Sequence, residues 1–179
     1  MRYGRLRRRC VSILERSGVV AVQPFDLNVM LEAIAIRRGK PIHRLAADLP
    51  VGLSGLWLAT PSADYICYEQ STTKFHQLHI IFHEIGHIIC DHGSEFSASV
   101  NDASPLAEHT GPDPKSSVLY RSDYSRVEEQ EAEMIASLLL RDAASRSPTQ
   151  IEVERRSPDD AVIARVAQTL VALQRQQLD

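Results

Sequence analysis

The chain has few cysteines and lacks any long apolar run. Among its 179 residues are three cysteines, Cys10, Cys67 and Cys90, at positions without a regular spacing. An odd number at unrelated spacings indicates neither a disulfide framework nor a cysteine zinc site, so a reducing, cytoplasmic setting is expected. No stretch approaches the ~20 apolar residues of a membrane-spanning helix, which predicts that the membrane is not a partner.

An excess of charge of one sign is also lacking. The chain has 20 Lys and Arg against 23 Asp and Glu, a net charge of −3, so composition gives no general attraction to nucleic acid. Five arginines between Arg2 and Arg9 precede the apolar stretch Val11–Leu14, but that stretch is shorter than the about 7–15 residues of a secretion signal core. The arginines are predicted to form the solvated face of a first helix, or alternatively a docking patch for an acidic partner.

Periodicity and capping residues predict an α+β fold, mainly helical, with a small antiparallel sheet preceding a buried helix. The predicted helices are Tyr3–Arg16, Leu27–Arg38 (between Asp26 and Gly39), a helix capped by Thr72 or Thr73 that runs to Cys90, Arg126–Asp142 and Ala161–Gln176. The predicted strands are Ile42–Ala46, Leu56–Ala59 and Tyr65–Tyr68. Residues 1–145 are expected to form one domain that includes the N-terminal helices, residues 146–179 a C-terminal helical appendage, and residues 93–125 a long functional loop.

The helix that ends at Cys90 carries an H-E-x-x-H motif, His83-Glu84-Ile85-Gly86-His87. Residues four apart lie on one face of a helix, ~6 Å from each other, so His83 and His87 are predicted to share one metal ion. Glu84 lies beside them, where it can accept a proton from a water molecule that the metal activates. This pattern indicates a zinc hydrolase.

The alternative is that these are unrelated polar residues on an exposed helix face. The flanking sequence disfavours it, because a helix that is apolar nearly all round is buried, and buried imidazoles and carboxylates need a partner such as a metal. The apolar flanking residues are Phe75, Leu78, Ile80, Ile81, Phe82, Ile85, Ile88, Ile89 and Cys90. For Gly86, close packing against another backbone is expected, because glycine in mid-helix costs up to ~1 kcal/mol relative to alanine.

A catalytic zinc usually has three protein ligands, so a third is needed. The extended motif H-E-x-x-H-x-x-G-x-x-H is excluded, because Cys90 stands where it requires glycine and Gly93 where it requires histidine. His92 is five residues past His87, which turns it toward the other side of the helix, so we interpret it as a helix-end or loop histidine.

Acidic residues on the next helix are the remaining ligand candidates. Glu129 and Glu133 lie one turn apart on the margin of its apolar stripe, whereas Glu128 points nearer the centre of the stripe but lies in the first turn. Periodicity does not decide between Glu128 and Glu129. Glu131 fits a solvated acidic helix face.

The two motifs together resemble those of the ImmA/IrrE family of metallo-endopeptidases. Residues His83–His92 are similar to its pattern H-E-[LI]-G-H-x-L-L, with Ile89 and Cys90 in place of the two leucines, and Glu129–Leu140 match E-x-x-A-[NE]-x-x-A-x-x-L-L. The resemblance implies a zincin-like domain with one catalytic Zn²⁺, in which Glu129 is the third ligand and Glu133 orients a ligand through a hydrogen bond. It also implies a cytoplasmic protease that cleaves a helix-turn-helix transcriptional regulator. Direct binding of this chain to nucleic acid is not expected, because its net charge is negative.

Several roles remain open. Tyr120, Tyr124 and His92 are candidates for the donor that stabilises the oxyanion. The strand Tyr65–Tyr68 could bind an extended peptide by edge pairing, or be an ordinary sheet strand. The competing function is a metal-containing partner of a repressor or a toxin–antitoxin system that cleaves nothing; such a protein would need the metal ligands but not Glu84.

Overall fold

The computed structural model describes residues 3–19, 25–49, 52–92 and 124–145, together with the backbone of residues 119–120. The elements in chain order are α1 (Tyr3–Ser17), α2 (Leu27–Arg38), β1 (Ile42–Ala47), β2 (Gly55–Ala59), β3 (Asp64–Glu69), α3 (Lys74–Cys90), β4 (Leu119–Tyr120) and α4 (Arg126–Ser145). The predicted class, α+β and mainly helical, is confirmed. The predicted helix 161–176, the appendage 146–179 and most of the loop 93–125 lie outside the described residues.

Capping residues fix the ends of α2 and α3. The Asp26 side chain accepts a hydrogen bond from the Asn28 backbone N–H, and Gly39 ends α2 with φ 72°, a left-handed conformation that glycine adopts without a steric penalty. The cap of α3 is Thr73 rather than Thr72, because the Thr73 hydroxyl accepts from the His76 N–H. These local contacts set where the helix of the H-E-x-x-H motif begins.

The sheet is mixed, with strand order β1-β3-β2-β4. Strand β2 is antiparallel to both of its neighbours, as expected, but β1 runs parallel to β3, with Ile42 opposite Asp64. Strands β2 and β3 form an antiparallel hairpin. Strand β1 pairs with the edge of β3 that does not face β2, and it runs in the same direction as β3. The sheet is therefore not the purely antiparallel one expected from the sequence.

Strand β3 has a neighbour on each side, so it offers no free edge to a peptide. The prediction that Tyr65–Tyr68 binds an extended peptide by edge pairing is wrong, and the strand is an ordinary interior one. Its central side chains, Ile66, Cys67 and Tyr68, are buried. A short, mostly apolar run is typical of such a strand.

Helices α3 and α4 pack with their backbones in close approach at Gly86. A Cβ atom on Gly86 would lie 2.8 Å from the Cα of Ala132 and 3.1 Å from its carbonyl oxygen, so only glycine fits. The expectation that Gly86 packs against another backbone is confirmed. This contact brings the first turns of α4 beside the motif of α3. No helix in the described part of the chain is both long and apolar enough to cross a membrane.

Candidate metal centre

His83 and His87 lie one helical turn apart on α3 with their imidazoles converging. Their Nε2 atoms are 3.1 Å apart. The two side chains differ in burial: His87 is 1 % exposed and His83 24 % exposed. The pair therefore points two ring nitrogens at one place, reached from solvent on the His83 side.

Glu129, in the first turns of α4, completes the cluster. Its Oε2 lies 3.3 Å from His83 Nε2, and its Oε1 lies 3.6 Å from His87 Nε2. The three residues each present one ligand atom to a common point and could hold a metal ion. The close approach at Gly86 is what makes this possible, since it places α4 within side-chain reach of α3.

Glu128 is engaged elsewhere. Its Oε2 accepts a hydrogen bond from the Ser125 backbone N–H at 2.7 Å, and the Ser125 hydroxyl accepts from the Glu128 N–H at 3.3 Å. This reciprocal pair is a capping box at the start of α4. Its sequence signature, Ser-x-x-Glu before an apolar stripe, is present at residues 125–128. This signature would have identified Glu128 as a capping residue and left Glu129 as the ligand candidate.

Glu84 is buried between α3 and β2, 6 % exposed. The Trp57 backbone N–H donates to its carboxyl group. A Cβ atom on Gly55 would lie 2.8 Å from Glu84 Oε1, so the glycine at the start of β2 makes room for this side chain. Sequence reasoning missed Gly55, whose signal was a glycine at the start of an otherwise apolar strand.

Burial, followed by the negative charge of Glu129, raises the pKa of Glu84 from 4.5 to about 8. The Trp57 hydrogen bond favours the carboxylate and partly opposes this shift of the pKa. A carboxyl group whose pKa is close to neutral can both accept and release a proton near pH 7.

His92 does not point away from the motif. Helix α3 ends at Cys90, and Asp91 takes a left-handed conformation with φ 57°. This reverses the chain, so that His92 lies under His87 with their Nδ1 atoms 2.9 Å apart. The interpretation of His92 as a helix-end histidine is confirmed, but its expected direction was wrong, because that direction assumed helical geometry at residues 91 and 92.

Glu131 lies on the inner side of α4 and is only 2 % exposed. Its Oε2 is 3.2 Å from His92 Nε2, and its Oε1 forms an ion pair at 2.9 Å with Arg9 of α1. The prediction of a solvated acidic face is therefore wrong for Glu131. Helical periodicity alone predicts that an acidic residue on this face is solvated. In the structure, His92 and Arg9, from two other parts of the chain, compensate the burial of the Glu131 carboxylate.

The other predicted site residues are placed as follows. Glu133 Oε2 lies 3.6 Å from His83 Nδ1 and 3.2 Å from His79 Nε2. The Tyr124 ring stacks on the His87 imidazole, with centroids 3.7 Å apart and planes 21° apart. Tyr120 pairs through its backbone with Leu58 in the sheet, and its side chain is outside the described atoms.

A second group of possible metal ligands, Cys90, His92 and Glu131, adjoins the first. Burial, followed by the charge of Glu131, raises the pKa of the Cys90 thiol to about 12. A metal binds the thiolate, which is disfavoured here. Of the two groups, that of His83, His87 and Glu129 contains no thiol and carries the H-E-x-x-H motif.

Comparison of the chain with protein-family models, with curated protein sequences and with solved structures finds no match in any of the three. The functional proposal therefore depends on the residues of the site and on the resemblance of its two motifs.

Proposed function

We propose that this chain is a zinc-dependent endopeptidase in which His83, His87 and Glu129 bind one catalytic Zn²⁺ and Glu84 is the general base. The observation that supports it is the spacing of the donor atoms. His83 Nε2 and His87 Nε2 are 3.1 Å apart, Glu129 Oε2 lies 3.3 Å from the first and Glu129 Oε1 lies 3.6 Å from the second. Donors at ~2.0–2.1 Å from a tetrahedral zinc ion are about 3.3 Å apart from one another. The site would need little rearrangement to accept the ion.

The donor set supports a catalytic rather than a structural role. Two imidazoles and one carboxylate are a known combination for catalytic zinc and leave a fourth position open. When bound, zinc would supply Lewis-acid chemistry, increasing the acidity of water and polarising a peptide carbonyl. The open position would face solvent on the His83 side, since His87 is buried.

Glu84 would accept a proton from the attacking water and then deliver it to the leaving amine. Its pKa of about 8 applies to the protein without a cation, and a positive charge nearby would lower the pKa and favour the proton-accepting carboxylate. The Trp57 N–H holds this carboxylate in place. For the oxyanion donor, Tyr124 is a better candidate than His92, because His92 is buried between His87 and Glu131.

The resemblance to the ImmA/IrrE family supports a substrate class. We propose that the substrate is a helix-turn-helix transcriptional regulator, whose cleavage derepresses genes, and that the reaction takes place in the cytoplasm. The competing function, a metal-containing partner that binds such a regulator without cutting it, makes a different prediction for Glu84.

The experiment combines elemental analysis with cleavage of a co-expressed helix-turn-helix regulator encoded beside this chain. Wild type should contain one zinc per chain and cleave the regulator. Glu84→Gln should keep the zinc and lose cleavage, while His83→Ala should lose both. Glu32→Gln, which changes an exposed glutamate of α2, is the matched control and should behave as wild type.

Two results would contradict the proposal. If wild type binds no zinc, even when zinc is added, the metal site does not exist. If wild type binds zinc but leaves intact both the regulator and a library of cellular peptides, the non-proteolytic function replaces the enzymatic one. Mass spectrometry of the peptide library makes this second test independent of the choice of regulator.

A further inference from the structure

A line of polar groups runs from the surface of α1 to the candidate ligand His87. Arg9 contacts Glu131, Glu131 contacts His92, and His92 contacts His87, at distances of 2.9, 3.2 and 2.9 Å. The last three of these residues are buried, and they come from two helices and the turn after α3.

The chemistry of the groups determines where the protons lie. Glu131, ion-paired with Arg9, is a carboxylate and can only accept, so His92 Nε2 must carry a proton. At a pH where the imidazoles are neutral, His92 Nδ1 then carries a lone pair and can only accept from His87 Nδ1–H. His87 is left with its lone pair on Nε2, the atom that faces His83 and Glu129.

We propose that Arg9, Glu131 and His92 are positioning residues that hold His87 in the tautomer with a proton on Nδ1 and a metal-binding lone pair on Nε2. A free neutral histidine mainly carries its proton on Nε2, which would block the metal-facing atom. The role in metal binding rests on the proposed function, whereas the tautomer is a property of the protein without metal.

The energetics of burial support this role. A carboxylate as buried as Glu131 is costly unless charge and hydrogen bonds compensate it, and Arg9 supplies the charge from another helix. Partners that orient a ligand histidine and increase its basicity are a general feature of metal sites.

The direct test is the tautomer of His87 in metal-free protein, measured by ¹H–¹⁵N NMR of ¹⁵N-histidine-labelled chain at a pH where the imidazoles are neutral. We expect the proton on Nδ1 in wild type and on Nε2 in His92→Leu, which removes the acceptor. His92→Asn, whose amide oxygen can take the place of Nδ1, should partly restore the wild-type tautomer. A proton on Nε2 of His87 in wild type would overturn the proposal without any variant being needed.

Zinc affinity, measured by competition with a chelating dye, is the second test. We expect Glu131→Gln and His92→Leu to weaken zinc binding by about 10–100-fold, the usual effect of removing a residue that orients a ligand. Arg9→Gln changes a side chain that is more than half exposed and should weaken it less, in the same direction. Glu32→Gln is again the control and should bind zinc as wild type does.

The outcomes separate the two proposals. If wild type fails to bind zinc, the proposed function fails while the NMR result still decides the tautomer. If wild type and Glu131→Gln bind zinc equally, the positioning role is excluded. If wild type binds two ions and Glu131→Gln only one, with the remaining affinity unchanged, then Cys90, His92 and Glu131 are a second metal site and the positioning role is again excluded.

Discussion

The two sides of the candidate metal centre differ in how they hold their histidine. On the outer side, His83 contacts Glu133, which is 54 % exposed, and solvent reaches both. On the inner side, buried His87 contacts His92, which in turn contacts Glu131 and, through it, Arg9. His83 is therefore held by a contact at the surface, whereas His87 is held by a series of buried contacts that extends to helix α1.

This difference indicates a division of roles. Contacts between exposed charged groups are weak, because water screens them and the side chains lose entropy. Buried polar contacts are costly to break, since each lost partner leaves a group without hydrogen bonds. The inner side is thus suited to fixing the geometry, and the outer side to admitting a substrate.

The largest effect is expected from removing the ligands themselves. His83→Ala and His87→Ala should each lower zinc affinity by more than about 100-fold, because loss of an orienting residue alone costs about 10–100-fold.

The two variants should also differ in stability. In metal-free protein, His87→Ala should lower the free energy of unfolding by about 1–3 kcal/mol, since it removes a partner of buried His92 Nδ1. His83→Ala should change it less. Urea unfolding in the presence of a chelator measures the difference, and equal losses would show that the two sides do not differ.

A second prediction concerns the pH dependence that buried Glu84 gives to metal-free protein. Its pKa is about 8 in the folded state against 4.5 ordinarily, so between these values the unfolded chain releases a proton that the folded chain retains. This carboxyl group should therefore cost the protein a few kcal/mol of stability as the pH rises from about 5 to 8.

Glu84→Gln should remove that loss, since the amide does not titrate and can still accept from the Trp57 N–H. Unfolding free energies of wild type and Glu84→Gln, compared at pH 5 and pH 8, isolate the contribution because all other titrating groups are shared. If the variant loses as much stability as wild type over this range, Glu84 is not held as a neutral acid in the folded protein.

The third prediction concerns the contact that joins α3 to α4. Gly86→Ala would place a Cβ atom 2.8 Å from the Ala132 backbone, and overpacking of this kind costs about 1–3 kcal/mol. It should also weaken zinc binding, since Glu129 would move away from the histidines. Gly4→Ala is the matched control: its Cβ would meet nothing within 4 Å, and alanine is favoured in a helix. If both substitutions change the thermal unfolding temperature by the same amount, the close approach at Gly86 does not hold the two helices together.

The elements of the described part, apart from β4, were predictable because their signals are local. Asp26, Gly39 and Thr73 act through contacts with neighbours in the chain, so their patterns determine helix ends without reference to the rest of the fold. The pair His83 and His87 also follows from helix geometry alone. The same local reasoning, had it included the capping box of Ser125 and Glu128, would have singled out Glu129 among the acids of α4.

The inner side of the site was not predictable, because it depends on contacts distant in sequence. Arg9 and Glu131 are 122 positions apart, and no periodicity relates them. His92 was placed wrongly because Asp91 adopts a positive φ, which is uncommon for residues other than glycine, and the helix ends there. The parallel pairing of β1 with β3 was missed for the same reason: a strand pattern shows which residues alternate, not which strand lies beside them.

The smallest effect is expected from the exposed acid. Glu133→Gln keeps the shape of the side chain that lies 3.6 Å from His83 Nδ1, and an exposed pair of this kind contributes about 0–1 kcal/mol. Zinc affinity should therefore fall by no more than about fivefold, clearly less than for Glu131→Gln on the buried side. The dye competition assay, run on both variants at the same salt concentration, compares them directly. If Glu133→Gln lowered zinc affinity more than Glu131→Gln, the outer contact would orient its ligand at least as strongly as the inner one. The difference in burial between the two sides would then have no consequence for metal binding.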